Sequence, residues 1–168
     1  MEAVHSLYLL RHAKSSWSAP GLDDHARPLS ERGEGAAQDM AAHLRREAVK
    51  PALVLCSTAL RARQTFEALA LGGEVCYEDG LYSASAADLL ARLHRVPDQV
   101  GSVMVVGHNP GLHELAVACS GSGDALVLAR LRDKLPTGAL VKLAFQGPWA
   151  LLTPGQAALE ALMVPRDL

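Results

Sequence analysis

Two histidines and two arginines in this chain stand where apolar runs end. Leu7-Tyr8-Leu9-Leu10 leads into Arg11 and His12, Val103-Met104-Val105-Val106 leads through Gly107 into His108, and the apolar residues 52–56 lead into Ser57, with Arg61 just beyond. A buried strand has no use for a guanidinium or an imidazole, so these groups belong at strand exits. In open α/β sheets that edge is where ligands bind. Arginine forks bind phosphate oxygens in pairs, and a helix starting after Ser57 adds oriented N–H groups and partial positive charge. The set suits an anion, and phosphate fits it best. Imidazole titrates near about 6.5 when unperturbed, so one ring can act as a neutral nucleophile while the other donates a hydrogen bond or carries a proton. A histidine attacking inside an arginine-lined crevice implies a phosphohistidine intermediate that water later hydrolyses. Arg11, Arg61 and His108 would then meet the charge on the moving phosphoryl group.

Strands and helices must alternate to bring these groups to one edge. After the first strand, residues 13–29 carry Pro20, Gly21, Asp23, Asp24 and Pro28 and read as a long surface loop, of the kind that is functional or disordered in compact domains. Ser30 is placed to cap a helix that runs to about Arg46. Residues 52–56 read as a second strand. Ser57 or Thr58 caps the next helix, over 59–71, which Gly72-Gly73 closes. A third strand over 74–77 follows, and then a helix opened by a Ser85/Asp88 capping box and ended before Pro97. Val103 to Val106 form the clearest strand. Helices are expected over 112–119, ending at Gly121-Ser122-Gly123, and over 125–131. Residues 139–145 and 149–152 read as two strands of an antiparallel hairpin at a sheet edge, turning at Gln146-Gly147-Pro148. The tail, 156–163, reads as a short helix. The alternation implies an α/β fold, a three-layer α/β/α sandwich with a mostly parallel sheet and an antiparallel edge.

Length and composition set bounds on this reading. With 168 residues the chain reads as one domain, 1–168, able to bury a core without disulfide or metal support. Its formal net charge of -2 argues against nucleic-acid binding driven by overall charge. Cys56, Cys76 and Cys119 are separated and lie in apolar runs, so they read as reduced, buried thiols. No leader pattern and no apolar run of membrane-spanning length is present, so the expected location is the cytoplasm, with no membrane partner.

Four motifs taken together resemble the histidine phosphatase superfamily. They are Leu10-Arg11-His12-Ala13-Lys14-Ser15, Arg27-Pro28-Leu29-Ser30 with Gly33, Ser57-Thr58-Ala59-Leu60-Arg61-Ala62 with Gln64-Thr65, and Val106-Gly107-His108-Asn109-Pro110. The short length and the Arg-His-Ala-Lys-Ser form resemble its SixA-like phosphohistidine phosphatase branch, over about Leu7 to Trp149. The resemblance implies a phosphoglycerate-mutase-like fold and a phosphatase that needs no metal or other cofactor. It implies His12 as nucleophile, Arg11, Arg61 and His108 as holders of the phosphoryl group, the Asn109 backbone N–H as a further donor, and Arg27 in the covering loop as a substrate contact. Larger members carry an acidic proton donor in a Leu-x-Glu context after the third strand. Here the matching stretch is Leu81-Tyr82-Ser83, with no carboxylate, and Glu78 or Asp79 could substitute.

The remaining histidines, His5, His25, His43, His94 and His113, show no ligand spacing with carboxylates or cysteines, so no metal site is expected. Three functions follow from the motifs. The first is hydrolysis of phosphohistidine in proteins, favoured by the missing acid because an imidazole leaving group needs little protonation. The second is hydrolysis of small phosphomonoesters on the same fold, and the third is phosphate binding without turnover. The partner in each case is a phosphate or phosphoprotein; the oligomeric state stays open.

Overall fold

The structure, a computed structural model, describes residues 3–168. Strand β1 (Val4–Arg11) buries Leu7 and Leu9 on one face and Tyr8 and Leu10 on the other. Strand β4 (Ser102–Gly107) repeats the pattern, with Val103 and Val105 opposite Met104 and Val106. A sheet apolar on both faces must be covered on both. Helices α1 (Glu31–Arg46) and α2 (Leu60–Leu69) pack on the Tyr8 face through Met40, Leu44, Ala62 and Leu69. Helices α3 (Ala86–Leu93), α4 (Gly111–Cys119) and α5 (Ala125–Asp133) pack on the Leu7 face through Leu89, Leu93, Leu112, Leu115 and Leu131. The result is the three-layer α/β/α sandwich that the alternation implied.

The sheet is completed by β2 (Leu53–Ser57), β3 (Glu74–Glu78), β5 (Ser120–Gly123), β6 (Leu140–Gln146) and β7 (Ala157–Met163), in the order β3-β2-β4-β1-β6-β7-β5. Only β6 runs against its neighbours, so the sheet is mostly parallel. The reversed strand lies inside the sheet, because β7 and then β5 add beyond it.

The chain departs from expectation in four places, three of them in its second half. Residues 149–152 are not a strand: Trp149 opens a 3-10 turn, with its backbone N–H on the Asp98 carboxylate and its indole N–H on the carbonyl of Val100. The partner of β6 is β7, where a short helix was expected; Ala157, Leu159 and Leu162 are buried along it. Gly121-Ser122-Gly123 does not end a helix but forms most of β5, held by β7. Helix α2 closes on Ala70, left-handed at φ 50, before Gly72-Gly73 is reached, and no side chain caps its start. The predicted caps of α1 and α3 are present: Ser30 Oγ accepts from the Gly33 N–H at 3.1 Å, and Ser85 and Asp88 exchange bonds at 3.0 Å.

Register places the exits. β2, β4 and β1 are adjacent, Arg11 pairs with Gly107, and Cys56 pairs with Val106, so the residues just beyond the three strand ends meet at one level. The stretch after β1 is then clamped. Ser30 N–H and Oγ–H both donate to the carbonyl of Lys14, and a Cβ on Gly33 would lie 2.0 Å from that oxygen. Only glycine lets the first turn of α1 approach this closely.

Candidate active site

His12 follows β1 and is 7% exposed. Its backbone N–H donates to the Gly107 carbonyl at 3.1 Å, and Nδ1 lies 2.7 Å from the carbonyl of Ala13. A carbonyl can only accept, so Nδ1 carries the proton and Nε2 keeps its lone pair. Burial first, then the charges of Arg61, Arg11 and Arg27, push its pKa down to about 4, against a backbone bond to Ala13 that acts the other way. The ring is neutral at physiological pH with one nitrogen free, the state a nucleophile needs.

The His108 ring centroid lies 5.1 Å from that of His12. Its Nε2 is 2.8 Å from Ser57 Oγ, which also accepts the Ala59 N–H at 3.2 Å. Burial, then the charges of His12 and Arg61, lowers the His108 pKa to about 3, so this ring is also neutral. The three strand exits are thus bonded to one another, His12 to β4 and His108 to β2.

The two arginines are positioned differently. Arg11 donates Nη1–H to the Leu135 carbonyl at 3.0 Å, an oxygen that also takes the Asn109 side-chain amide at 3.0 Å. Arg61 donates to both the carbonyl and the carboxylate of Asp24, at 2.7 and 3.1 Å. The Nε–H of each arginine is buried with no partner. Thr65 ties the group together, donating to the Arg61 carbonyl at 2.7 Å and accepting the Ala13 N–H at 3.0 Å. Buried donors left unpaired are rare in folded proteins.

Arg11, His12, Arg61, His108 and Asn109, all singled out from the sequence, line one cavity of about 460 Å³. Arg27 lies on the other side of His12, in an adjoining cavity with Lys14 and Trp17. Its guanidinium stacks 3.5 Å from the Trp17 ring and donates to Ser15 Oγ at 2.6 Å, which pins the 13–29 loop. Glu78 is taken up by Arg92 at 2.8 and 2.9 Å, and Asp79 accepts from Thr58 at 2.6 Å. Asp24 and Glu114 do line the cavity, and neither was assigned a role from the sequence; Asp24 is the one bonded to the site's cations. It is held by Arg61, Arg27 and the Tyr82 hydroxyl. Asp24 sits 37 residues from Arg61 and 58 from Tyr82, so no local pattern announces it. Cys56 is fully buried, its thiol pushed up to about 12 by burial, and belongs to the core. His113 is held by the Leu131 carbonyl at 2.5 Å.

Comparison with known proteins agrees with this geometry. The model of the histidine phosphatase superfamily (branch 1) matches residues 7–89, which includes His12 and Arg61. The SixA protein of Agrobacterium tumefaciens is 33% identical, superposes with a TM-score of 0.81, and is covered over 98% of its length by 96% of this chain. The chain belongs to the histidine phosphatase superfamily. It is SixA-like within it: the SixA protein of Nakamurella multipartitia superposes with a TM-score of 0.87 at 30% identity, over 98% of this chain and 99% of that one. A protein of Mycobacterium tuberculosis, itself uncharacterised, is 40% identical over 94% of this chain and 100% of its own length. Membership carries the activity class, a phosphatase hydrolase with the phosphoglycerate-mutase-like fold.

Proposed function

We propose that this phosphatase works through a covalent phosphohistidine on His12 and acts on phosphohistidine in proteins. The observation that carries the reading is the state of His12: Nδ1–H is fixed on the Ala13 carbonyl, so a neutral Nε2 is left free beside two guanidinium groups with unpaired Nε–H. Nε2 attacks phosphorus, the bond to the leaving group breaks, and Arg11, Arg61 and His108 balance the charge on the phosphoryl oxygens. Water then attacks the phosphorus, the P–N bond breaks, and His12 is regenerated. No step calls for a metal or other cofactor.

Two features support a protein substrate. The connection between β3 and α3 is short, which leaves the cavity open beside Tyr82, and Trp17, 76% exposed, offers an apolar contact on the covering loop. Similarity to the two SixA proteins supports phosphohistidine as the group delivered. Arg27, from the covering loop, serves as a further substrate contact, and the Asn109 backbone N–H as a further donor. A cytoplasmic location fits this role; no helix among the described residues is long and apolar enough to cross a membrane.

Brief exposure to substrate should leave acid-labile phosphate on His12, and His12→Ala should lose turnover of a phosphohistidine protein. A His12→Ala variant as fast as the parent defeats the mechanism. A clear preference for small phosphate esters, in rates measured side by side, moves the substrate assignment to phosphomonoesters.

A further inference from the structure

The superfamily resemblance leaves the proton donor of this chain unassigned, because Leu81-Tyr82-Ser83 carries no carboxylate. The structure fills that place from elsewhere in the chain. Tyr82 donates its hydroxyl proton to Asp24, and its ring stands edge-on to His108 at 5.5 Å between centroids. The Asp24 carboxylate therefore lies beside the stretch where other members carry their acid, inside the cavity that holds His12.

We infer that Asp24 is the proton-transfer residue of this site, protonating the leaving oxygen of a phosphomonoester and taking a proton from the water that hydrolyses phosphorylated His12. The assignment rests on His12 as nucleophile and extends the substrate range to esters with poor leaving groups. Its position is the main argument. Asp24 bonds to Arg61 Nη2 at 3.1 Å, so a phosphoryl group taken up by Arg61 lies next to the carboxylate. Its side chain is half exposed, so it reaches both the cavity and solvent, as a proton carrier must. Glu114 also lines the cavity, but its carboxylate makes no hydrogen bond or ion pair with Arg11, Arg61, Tyr82 or His108. Arg27, on the same loop, Arg61 from α2 and Tyr82 after β3 all face Asp24, and His25 packs edge-on against the Tyr82 ring at 4.8 Å.

The charge balance is consistent. Without substrate, the Tyr82 hydrogen bond and the Arg61 charge hold Asp24 down at about 2, so it is a carboxylate. A substrate arriving as the phosphate monoanion brings one proton and takes Arg61 for itself. Asp24 then loses a cation, gains an anionic neighbour and accepts that proton. His12 Nε2 forms its bond to phosphorus, the P–O bond breaks, and the leaving oxygen takes the proton from Asp24. In the second step water bonds to phosphorus, the P–N bond breaks, and Asp24 receives the proton that water gives up; it leaves with the phosphate.

The test compares the parent with Asp24→Asn on para-nitrophenyl phosphate, phenyl phosphate and glycerol phosphate. Acid catalysis is worth about 10²–10⁴-fold where the leaving group needs a proton. Because kcat/KM reports only the steps up to release of the leaving group, the variant should keep kcat/KM on para-nitrophenyl phosphate within about tenfold and lose about 10²-fold or more on glycerol phosphate, while a cooperative urea transition shows that it folds. The parent's kcat on glycerol phosphate should fall with rising pH and the variant's should be flat, while Asp24→Glu restores part of the loss. Equal losses of kcat/KM on all three esters, no loss on any, or a parent inactive on glycerol phosphate overturns the assignment. His12→Ala as active as the parent overturns the nucleophile, and this proposal with it.

Discussion

Acid should destabilise this protein through His12 in a window that the Asp24 carboxylate does not share. The unfolded chain binds a proton on His12 near 6.5, whereas the folded chain resists until about 4. As pH falls through that interval, the unfolded state takes up protons that the folded state refuses, and stability falls. The displacement is worth about 3 kcal/mol at about 1.4 kcal/mol per tenfold. His12 is 7% exposed, so solvent screens little of it. His108, lowered to about 3, acts with the same sign, and part of its shift comes from His12. Replacing His12 should therefore remove its own contribution and some of its neighbour's. Asp24 acts with the same sign but at lower pH: its stabilising effect is present above its ordinary 3.8 and is lost only as pH falls toward about 2, below the window. Urea unfolding of the parent and His12→Gln at several pH values between about 7 and about 4.5 measures the difference, with a slope of up to about 1.4 kcal/mol per pH unit per ring. The parent should lose stability more steeply, and His12→Gln should gain on it as pH falls. Parallel curves would show that His12 titrates alike in both states, and the account of a neutral, poised nucleophile would fail.

Three further outcomes check the positioning network. Thr65→Val leaves the buried Ala13 N–H and the Arg61 carbonyl without partners, which should cost about 1–3 kcal/mol in urea unfolding and lower kcat more than it raises KM. Gly33→Ala drives a methyl into the Lys14 carbonyl and should cost about 1–3 kcal/mol while displacing the segment after His12, seen as reduced turnover in the folded fraction. Inorganic phosphate should raise the stability of the parent by about 2.7 kcal/mol at about 100 times its Kd. Arg61→Ala should abolish that gain.

The first half of the fold and most of the site are legible in the sequence because their causes are local. Arg11, His12 and His108 interrupt apolar runs, and Ser30 and Ser85 sit one step before amphipathic helices. The second half is not legible, because tertiary pairing decides it. Residues 157–163 are mostly Ala, Leu, Glu and Met, good helix formers, and become a strand because β6 offers an open edge. The Ser-Gly-Ser-Gly of β5 has no apolar pattern and exists as a strand only through β7. Trp149 suggests a strand by type, yet its indole N–H and backbone N–H find partners near residues 98–100 and hold a turn. Asp24 escapes notice for the same reason as β5: its meaning lies in partners far along the chain.

The different restraints on the two arginines set how the proposed site admits an anion. Arg11 is steadied by the Leu135 carbonyl, an uncharged partner that a phosphoryl group need not displace. Arg61 is steadied by the Asp24 carboxylate, and an incoming phosphoryl oxygen must exchange one anion for another at that guanidinium. The gain at Arg61 is therefore a difference, small for a singly charged carboxylate and larger for a phosphoryl dianion. Discrimination against weaker anions thus comes from the carboxylate that already occupies Arg61. The same exchange frees Asp24 from its strongest cation when a phosphoryl group is in place, which ties recognition of the substrate to the arming of the proton donor.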